Sequence, residues 1–270
     1  MKKIFSLALL LVSFYCFAKN IEIISTTSQL AAVAEEIGKP YVNVAVLIPP
    51  GICPGHYEIK PGDIKKLCDG AVLLYHGWEG FIGDISKSTA GSGAKIFKID
   101  VPGSWLIPDI QIKAAEKITE VLSSIEPERK KIFESNLKSY KEKMLQLDKK
   151  IKNFVLTSNL KDTKAICSVM QKDFLEYLGF DVVDCFQRDE EIDPGTIKRI
   201  IDNIKNHNIK IVVSNLQSGT STGKMLAERT SITHVIISNF PGGLKNTKTI
   251  EDTVMTNLNL LSGGLKKYKN

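Results

Sequence analysis

The side chains best suited to chemistry in this 270-residue chain are few, and most are neutral. Cys53 and His56 form a C-x-x-H pair in one Pro- and Gly-rich loop, and His76 closes a later apolar run. A thiol and two imidazoles suit a soft or borderline ion such as Zn²⁺, Ni²⁺ or Cu⁺, and Met170 can add a thioether. A second set has a different character. Gln171, Asn215 and Asn239 offer carboxamides, Gly103 offers open space, and Tyr57, Trp78 and Trp105 offer stacking faces. Those groups fit a metal chelate or a small organic ligand, although the aromatic rings equally suit plain packing. His207 and His234 fall at a helix end and a strand start and read as structural or exposed.

Little here points to catalysis. Gly219-Thr220-Ser221-Thr222-Gly223-Lys224 follows a strand and opens a helix, as a phosphate-binding loop does. It has one residue too few between its glycines, and Met225 stands where a Mg²⁺-binding hydroxyl belongs; capping of that helix by an anion is the simpler expectation. No Ser–His–Asp or paired-carboxylate arrangement stands out. The chain therefore reads as a binding protein and not an enzyme.

The positioning elements alternate. Apolar, β-branched runs occur at Ile21–Thr26, Val42–Ile48, Ala71–His76 and Ala94–Asp100, and again at Ala165–Met170, Asp181–Phe186, Ile209–Ser214 and Thr233–Ser238. Helical patterns lie between them at Ser28–Ile37, Asp63–Cys68, Thr196–His207, Gly223–Arg229 and Thr249–Ser262. Near-continuous apolar strands separated by helices predict parallel sheets covered on both faces. The fold class is α/β: two similar lobes, each with a four-stranded parallel sheet flanked by helices, joined by one long backbone helix. That helix opens at Pro127, and Phe133, Leu137, Tyr140, Met144, Leu147, Ile151 and Phe154 follow at spacings of 4, 3, 4, 3, 4 and 3. Its length is roughly 40 Å at 1.5 Å per residue. Ligands of open parallel sheets bind beyond the carboxyl ends of the strands. The loops carrying Cys53, His56, His76, Gly103, Met170, Gln171, Asn215 and Asn239 therefore converge on one cleft.

Composition limits the setting. With 36 Lys and Arg against 30 Asp and Glu, spread along the chain, there is no clustered basic surface for nucleic acid. Lys2 and Lys3 followed by an apolar run to Phe17 and a small residue, Ala18, form a secretory signal peptide. Cys16 follows residues too bulky for a lipidation motif, so cleavage is expected. Export leaves Cys53, Cys68, Cys167 and Cys185; the last two lie in apolar runs and read as buried thiols, with a bridge between them as the alternative.

Several stretches resemble a known family. Gly55-His56-Tyr57-Glu58-Ile59-Lys60-Pro61-Gly62-Asp63 is similar to the first ligand motif of the zinc and manganese receptors of ABC uptake systems, the cluster A-I solute-binding proteins, with His56 on the metal-binding histidine. Pro102-Gly103-Ser104-Trp105-Leu106 resembles their second motif and Gln171-Lys172-Asp173-Phe174 their third. Ile211–Asn215 and Ser238–Gly243 are similar to the last two. The long helix matches the family's connector between lobes.

The resemblance implies a periplasmic or otherwise extracytoplasmic monomer that captures a transition-metal ion, Zn first, or a metal complex. It would deliver that cargo to an ABC permease and its cytoplasmic ATPase. A chelate or organic-ligand receptor and a surface adhesin are the alternatives on the same scaffold. The implied division is a signal peptide over 1–18, a first lobe over 19–108, connecting helices over 109–160 and a second lobe over 161–270. The ligand set departs from the family: Gly103 and Gln171 stand at its second and third positions, and Asn215 and Asn239 at its acidic ones. His56, Cys53 and His76 are then the candidate metal ligands, with Trp78, Gly103, Met170, Gln171, Asn215 and Asn239 lining the cleft.

The export reading has a direct check. Intact-mass measurement of protein from the cell envelope should give a chain beginning at Lys19; a retained leader or a lipid on Cys16 counts against it.

Overall fold

In the computed structural model, residues 20–268 are described; the segment assigned to a signal peptide lies outside them. Two parallel sheets organise the chain. The first holds β1 (Ile21–Ser25), β2 (Val42–Val46), β3 (Val72–Tyr75) and β4 (Lys95–Lys98) in the order β2-β1-β3-β4. The second holds β5 (Lys164–Ser168), β6 (Asp181–Phe186), β7 (Ile211–Asn215) and β8 (Thr233–Ile237) in the matching order β6-β5-β7-β8. Every pairing is parallel. The central strands β1, β3, β5 and β7 are nearly continuous buried apolar runs, because helices cover both of their faces.

Nine helices surround the sheets among the described residues: α1 (Ser28–Gly38), α2 (Pro61–Cys68), α3 (Ile82–Ser88), α4 (Pro108–Ile125), α5 (Lys130–Ser158), α6 (Lys172–Tyr177), α7 (Pro194–Asn206), α8 (Ser221–Thr230) and α9 (Ile250–Tyr268). Their ends are written locally. Thr27 caps α1 through its hydroxyl, and Asp193 caps α7 ahead of a proline in the first turn. Thr249 and Asp252 exchange side-chain and backbone bonds of 3.0 Å at the start of α9, a reciprocal capping box. α5 stops where Asn159 turns left-handed at φ 53°.

The expected connector is α5, preceded by a 3₁₀ turn at Pro127–Arg129. Phe133, Tyr140, Met144, Leu147 and Ile151 of its stripe are buried, while Leu137 and Phe154 are partly covered at the margins. One apolar cluster runs from Ile23 and Leu30 in the first lobe, through this stripe, to Val213 and Leu258 in the second. Separate clusters fill the outer face of each sheet. No helix among the described residues is long and apolar enough to cross a membrane.

Cys167 and Cys185 face each other across the β5–β6 pairing, with free thiol sulfurs 3.6 Å apart. Cys167 is buried, and Cys185 is partly exposed on the edge strand.

A shared core should fail as a unit. Leu147, almost fully buried, becomes a cavity in Leu147→Ala, which should lower the unfolding free energy by about 2–5 kcal/mol. Leu156→Ala, at a position 78% exposed, should change it by under about 0.5 kcal/mol. Chemical denaturation followed separately in each lobe should give one transition; two independent transitions contradict the common core.

Candidate functional site

The first-lobe wall is built on the ends of β1 and β3. The peptide N–H groups of His76 and Gly77 donate to the Glu79 carboxylate at 2.9 and 2.8 Å, and the Thr26 hydroxyl donates to it at 2.5 Å. Glu79 is buried, so these donors replace the water it has lost. The turn they fix aims the His76 ring into the cleft wall. That ring stacks on Trp78 at 5.1 Å, meets the edge of Trp105 at 4.5 Å, and places Nε2 2.9 Å from the Thr27 hydroxyl. Burial pushes the His76 pKa down to about 4 against the opposing charge of Glu79, so the imidazole is neutral near pH 7. Trp105 is itself tied down by donating to the Val101 carbonyl at 3.1 Å.

The second-lobe wall is a carboxamide network. A 3₁₀ turn at Val169–Gln171 follows β5 and carries Gln171 into full burial. Its Nε2 donates to Asn215 Oδ1 at 2.9 Å and to Asn239 Oδ1 at 3.0 Å, which links the ends of β5, β7 and β8. The Asn215 amide passes its own hydrogen to the Ser218 hydroxyl at 2.7 Å. Gln171 Oε1 is buried without a partner. The network holds its geometry through hydrogen bonds alone and carries no charge.

Four contacts close the seam between lobes. Gln29 donates to the Asn239 carbonyl at 2.6 Å, Ser28 to the Pro241 carbonyl at 2.8 Å, and Gln217 to the Pro50 carbonyl at 2.7 Å. His56 Nε2 lies 3.1 Å from Glu190 Oε1. Between the walls remains a cavity of about 440 Å³.

Of the residues expected at the cleft, Cys53, His76, Trp78 and Gly103 line this cavity from the first lobe, and Met170, Asn215 and Asn239 line it from the second. Gln171 stands behind them as a support. His56 is absent from the lining: its side chain is 60% exposed and is held by Glu190. The 3₁₀ turn Pro54–His56 carries it past the rim on which Cys53 sits. Consequently Cys53, His56 and His76 do not assemble. Among the described residues no group of three or more His, Cys, Asp or Glu side chains is placed to hold a metal ion. Gly103 has φ +96°, a conformation that side-chain-bearing residues rarely adopt.

Sequence reasoning missed Gln29, Gln217, Asp173 and Arg188, all of which line the cavity. Gln29 follows β1 and Arg188 follows β6, so reading every strand end would have found both. His234 bonds the Ser214 hydroxyl at 2.8 Å and His207 ends α7; neither lines the cleft. At the Gly219–Lys224 loop the anion is internal. The Asp189 carboxylate accepts from the Ser221 and Thr222 peptide N–H groups at 2.8 and 2.9 Å, so it caps α8 where a phosphate would lie.

The sequence profile of one family, described as zinc-uptake complex component A, periplasmic, matches residues 23–264. The chain belongs to this family. Its relatives include the manganese-binding lipoprotein MntA of Bacillus subtilis (strain 168), 32% identical over 149 residues, or 48% of this chain and 49% of MntA. The chain thus spans about half the length of curated relatives that it matches. A crystal structure of ZnuA superposes with a TM-score of 0.74 at 18% identity, covering 90% of this chain and all of that one. The laminin-binding protein Lmb of Streptococcus agalactiae, described as a bifunctional protein with adhesin and metal transporting activity, gives 0.76 at 16% identity over 91% of this chain and all of its own. Both structural likenesses concern the fold. At the places where the resemblance puts ligands, this chain has Gly103, Gln171, Asn215 and Asn239.

The buried imidazole has a pH consequence. Its folded pKa of about 4 lies below the ordinary 6.5, so the unfolded chain takes up the proton first as pH falls. Its contribution to stability is complete above pH 6.5 and should decline by about 3 kcal/mol on acidification to pH 4. Thermal midpoints measured across that range should fall less steeply in His76→Gln; identical slopes would show that His76 does not titrate in this way.

Proposed function

We propose that this protein is the extracytoplasmic capture component of an ABC importer and takes up a solute of small-molecule size in the cleft between its lobes. A metal complex or a compact organic molecule is the cargo, in preference to a bare Zn²⁺ or Mn²⁺ ion. Family membership supports the receptor role. The cleft supports the size of the cargo: about 440 Å³ is within the range of small-ligand pockets and far exceeds the space of one ion. A bare ion also needs several imidazoles, thiolates or carboxylates converging within about 2.0–2.6 Å of one point. This cavity presents one thiol (Cys53), one imidazole (His76) and one carboxylate (Asp173), which do not converge as a metal-holding group, among carboxamides and aromatic faces.

The partners of such a receptor are a membrane permease and its cytoplasmic ATPase, and it works as a monomer. The seam bonds from Gln29, Ser28 and Gln217 would hold the lobes at nearly fixed separation while a solute enters. Capture would then involve small rocking about α5.

Native mass spectrometry with elemental analysis, on untagged protein from the cell envelope, tests the cargo. The expected result is a bound mass of small-molecule size, with any metal accompanied by organic ligand. Stoichiometric Zn or Mn with no organic mass would overturn the reading. Titration with ZnCl₂ and MnCl₂ should show weak binding that His56→Ala leaves unchanged, since His56 lies outside the lining.

A further inference from the structure

Cys167 and Cys185 are brought together by the second sheet, and neither lines the cleft. β5 and β6 pair regularly through Ala165 and Val182; β6 then carries one extra residue, Val183, so that Ile166 faces Asp184 and Cys167 faces Cys185. Without that bulge Cys167 would face Asp184, and the two thiols would lie on opposite faces of the sheet. As it stands their sulfurs are 3.6 Å apart. Paired strands run about 4.8 Å apart, inside the roughly 4.4–6.8 Å between Cα atoms that a disulfide spans. Closing the sulfurs to about 2.05 Å therefore needs only a local adjustment. β6 is the edge strand, with no strand on its far side to resist that movement.

The two thiols are not equivalent. Cys167 is buried in the core shared with α5, while Cys185 is partly exposed. A hydrogen bond from Cys167 holds the Cys185 thiol below its ordinary pKa. The Lys172 ammonium adds to this, against partial burial and the charges of Asp184 and Glu176. The same contact and deeper burial push the Cys167 thiol up. Cys185 is thus the sulfur that a reagent can reach and the readier thiolate, with Cys167 placed to follow it from within.

We propose that Cys167 and Cys185 are a redox-active pair, oxidised through Cys185 by an external disulfide to a cross-strand bond behind the second-lobe wall. The Cys185 thiolate attacks one sulfur of the external disulfide and releases the other as a thiolate. The Cys167 thiol gives up its proton to that thiolate, attacks Cys185 Sγ and releases the second external sulfur. Two protein thiols lose two electrons and two protons, and the external disulfide becomes two thiols. The bond closes a loop from residue 167 to residue 185 that contains Met170 and Gln171, the first lining the cleft and the second supporting it. Nothing in this chemistry depends on what the cleft carries.

The test uses the purified chain, fully reduced and then exposed to oxidised glutathione, with N-ethylmaleimide added after unfolding. Cys167 and Cys185 should be recovered as one cross-linked peptide pair, lighter by about 2 Da than the two free peptides. Cys53 and Cys68 should still be alkylated, and dithiothreitol should reopen the bond. Cys167→Ser should stop at a single glutathione adduct on Cys185, and Cys185→Ser should leave Cys167 free. The thermal midpoint of the oxidised chain should exceed that of the reduced chain by about 5 °C, because the closed loop restricts the unfolded state. In Cys185→Ser, a change at the partly exposed position, the two midpoints should coincide. Alkylation of both Cys167 and Cys185 after oxidation, a bond from either to Cys53 or Cys68, or equal midpoints for oxidised and reduced wild type would overturn the proposal. The receptor reading is judged separately by the native mass measurement, which no outcome here affects.

Discussion

The whole molecule depends on the burial of one face of α5. Phe133, Tyr140, Met144, Leu147 and Ile151 lie in the same apolar cluster as strands from both sheets, so the helix serves as core for each lobe. Neither sheet can leave it without exposing that stripe, at about 25 cal/mol for each Å² of apolar surface. This constraint sets the width of the cleft, because the carboxyl ends of both sheets are then held at a fixed distance. His76 and Gly103 on one side and Asn215 and Asn239 on the other line a gap that loop chemistry only trims.

Within that frame the site combines two kinds of order. The first-lobe wall is held by a buried carboxylate that collects donors: Glu79 fixes the turn, and the turn fixes His76 and Trp78. The second-lobe wall is a chain of neutral amides anchored by Gln171. Both are preorganised, so a solute meets rigid polar surfaces and loses little affinity to side-chain ordering.

The fold was legible because its signals are long. The strands are unbroken apolar runs and the α5 stripe repeats from Phe133 to Phe154, so noise at single positions does not hide the pattern. The short helices α3 and α6, at seven and six residues, gave no such pattern, since one or two turns cannot establish a period. The site was legible to the level of loops. Cys53 and His56 share one loop, but a single 3₁₀ turn separates their directions, and spacing carries no information about which way a side chain faces. Arg188 looked ordinary in sequence because its place in the lining is set by how the β6 end folds against the other lobe, next to Gly55, which spacing does not show.

The backbone at Gly103 opposes a metal-ligating side chain at that position. A histidine placed there would take on φ +96°, a strained conformation for a residue with a side chain, and a Cβ 3.2 Å from the Ile110 side chain, which would have to shift. Any substitution that removes the Gln171 amide would leave the Asn215 and Asn239 side-chain oxygens without the donor they now share. Metal-ligating side chains at these two positions would therefore work against the backbone in one lobe and the amide network in the other.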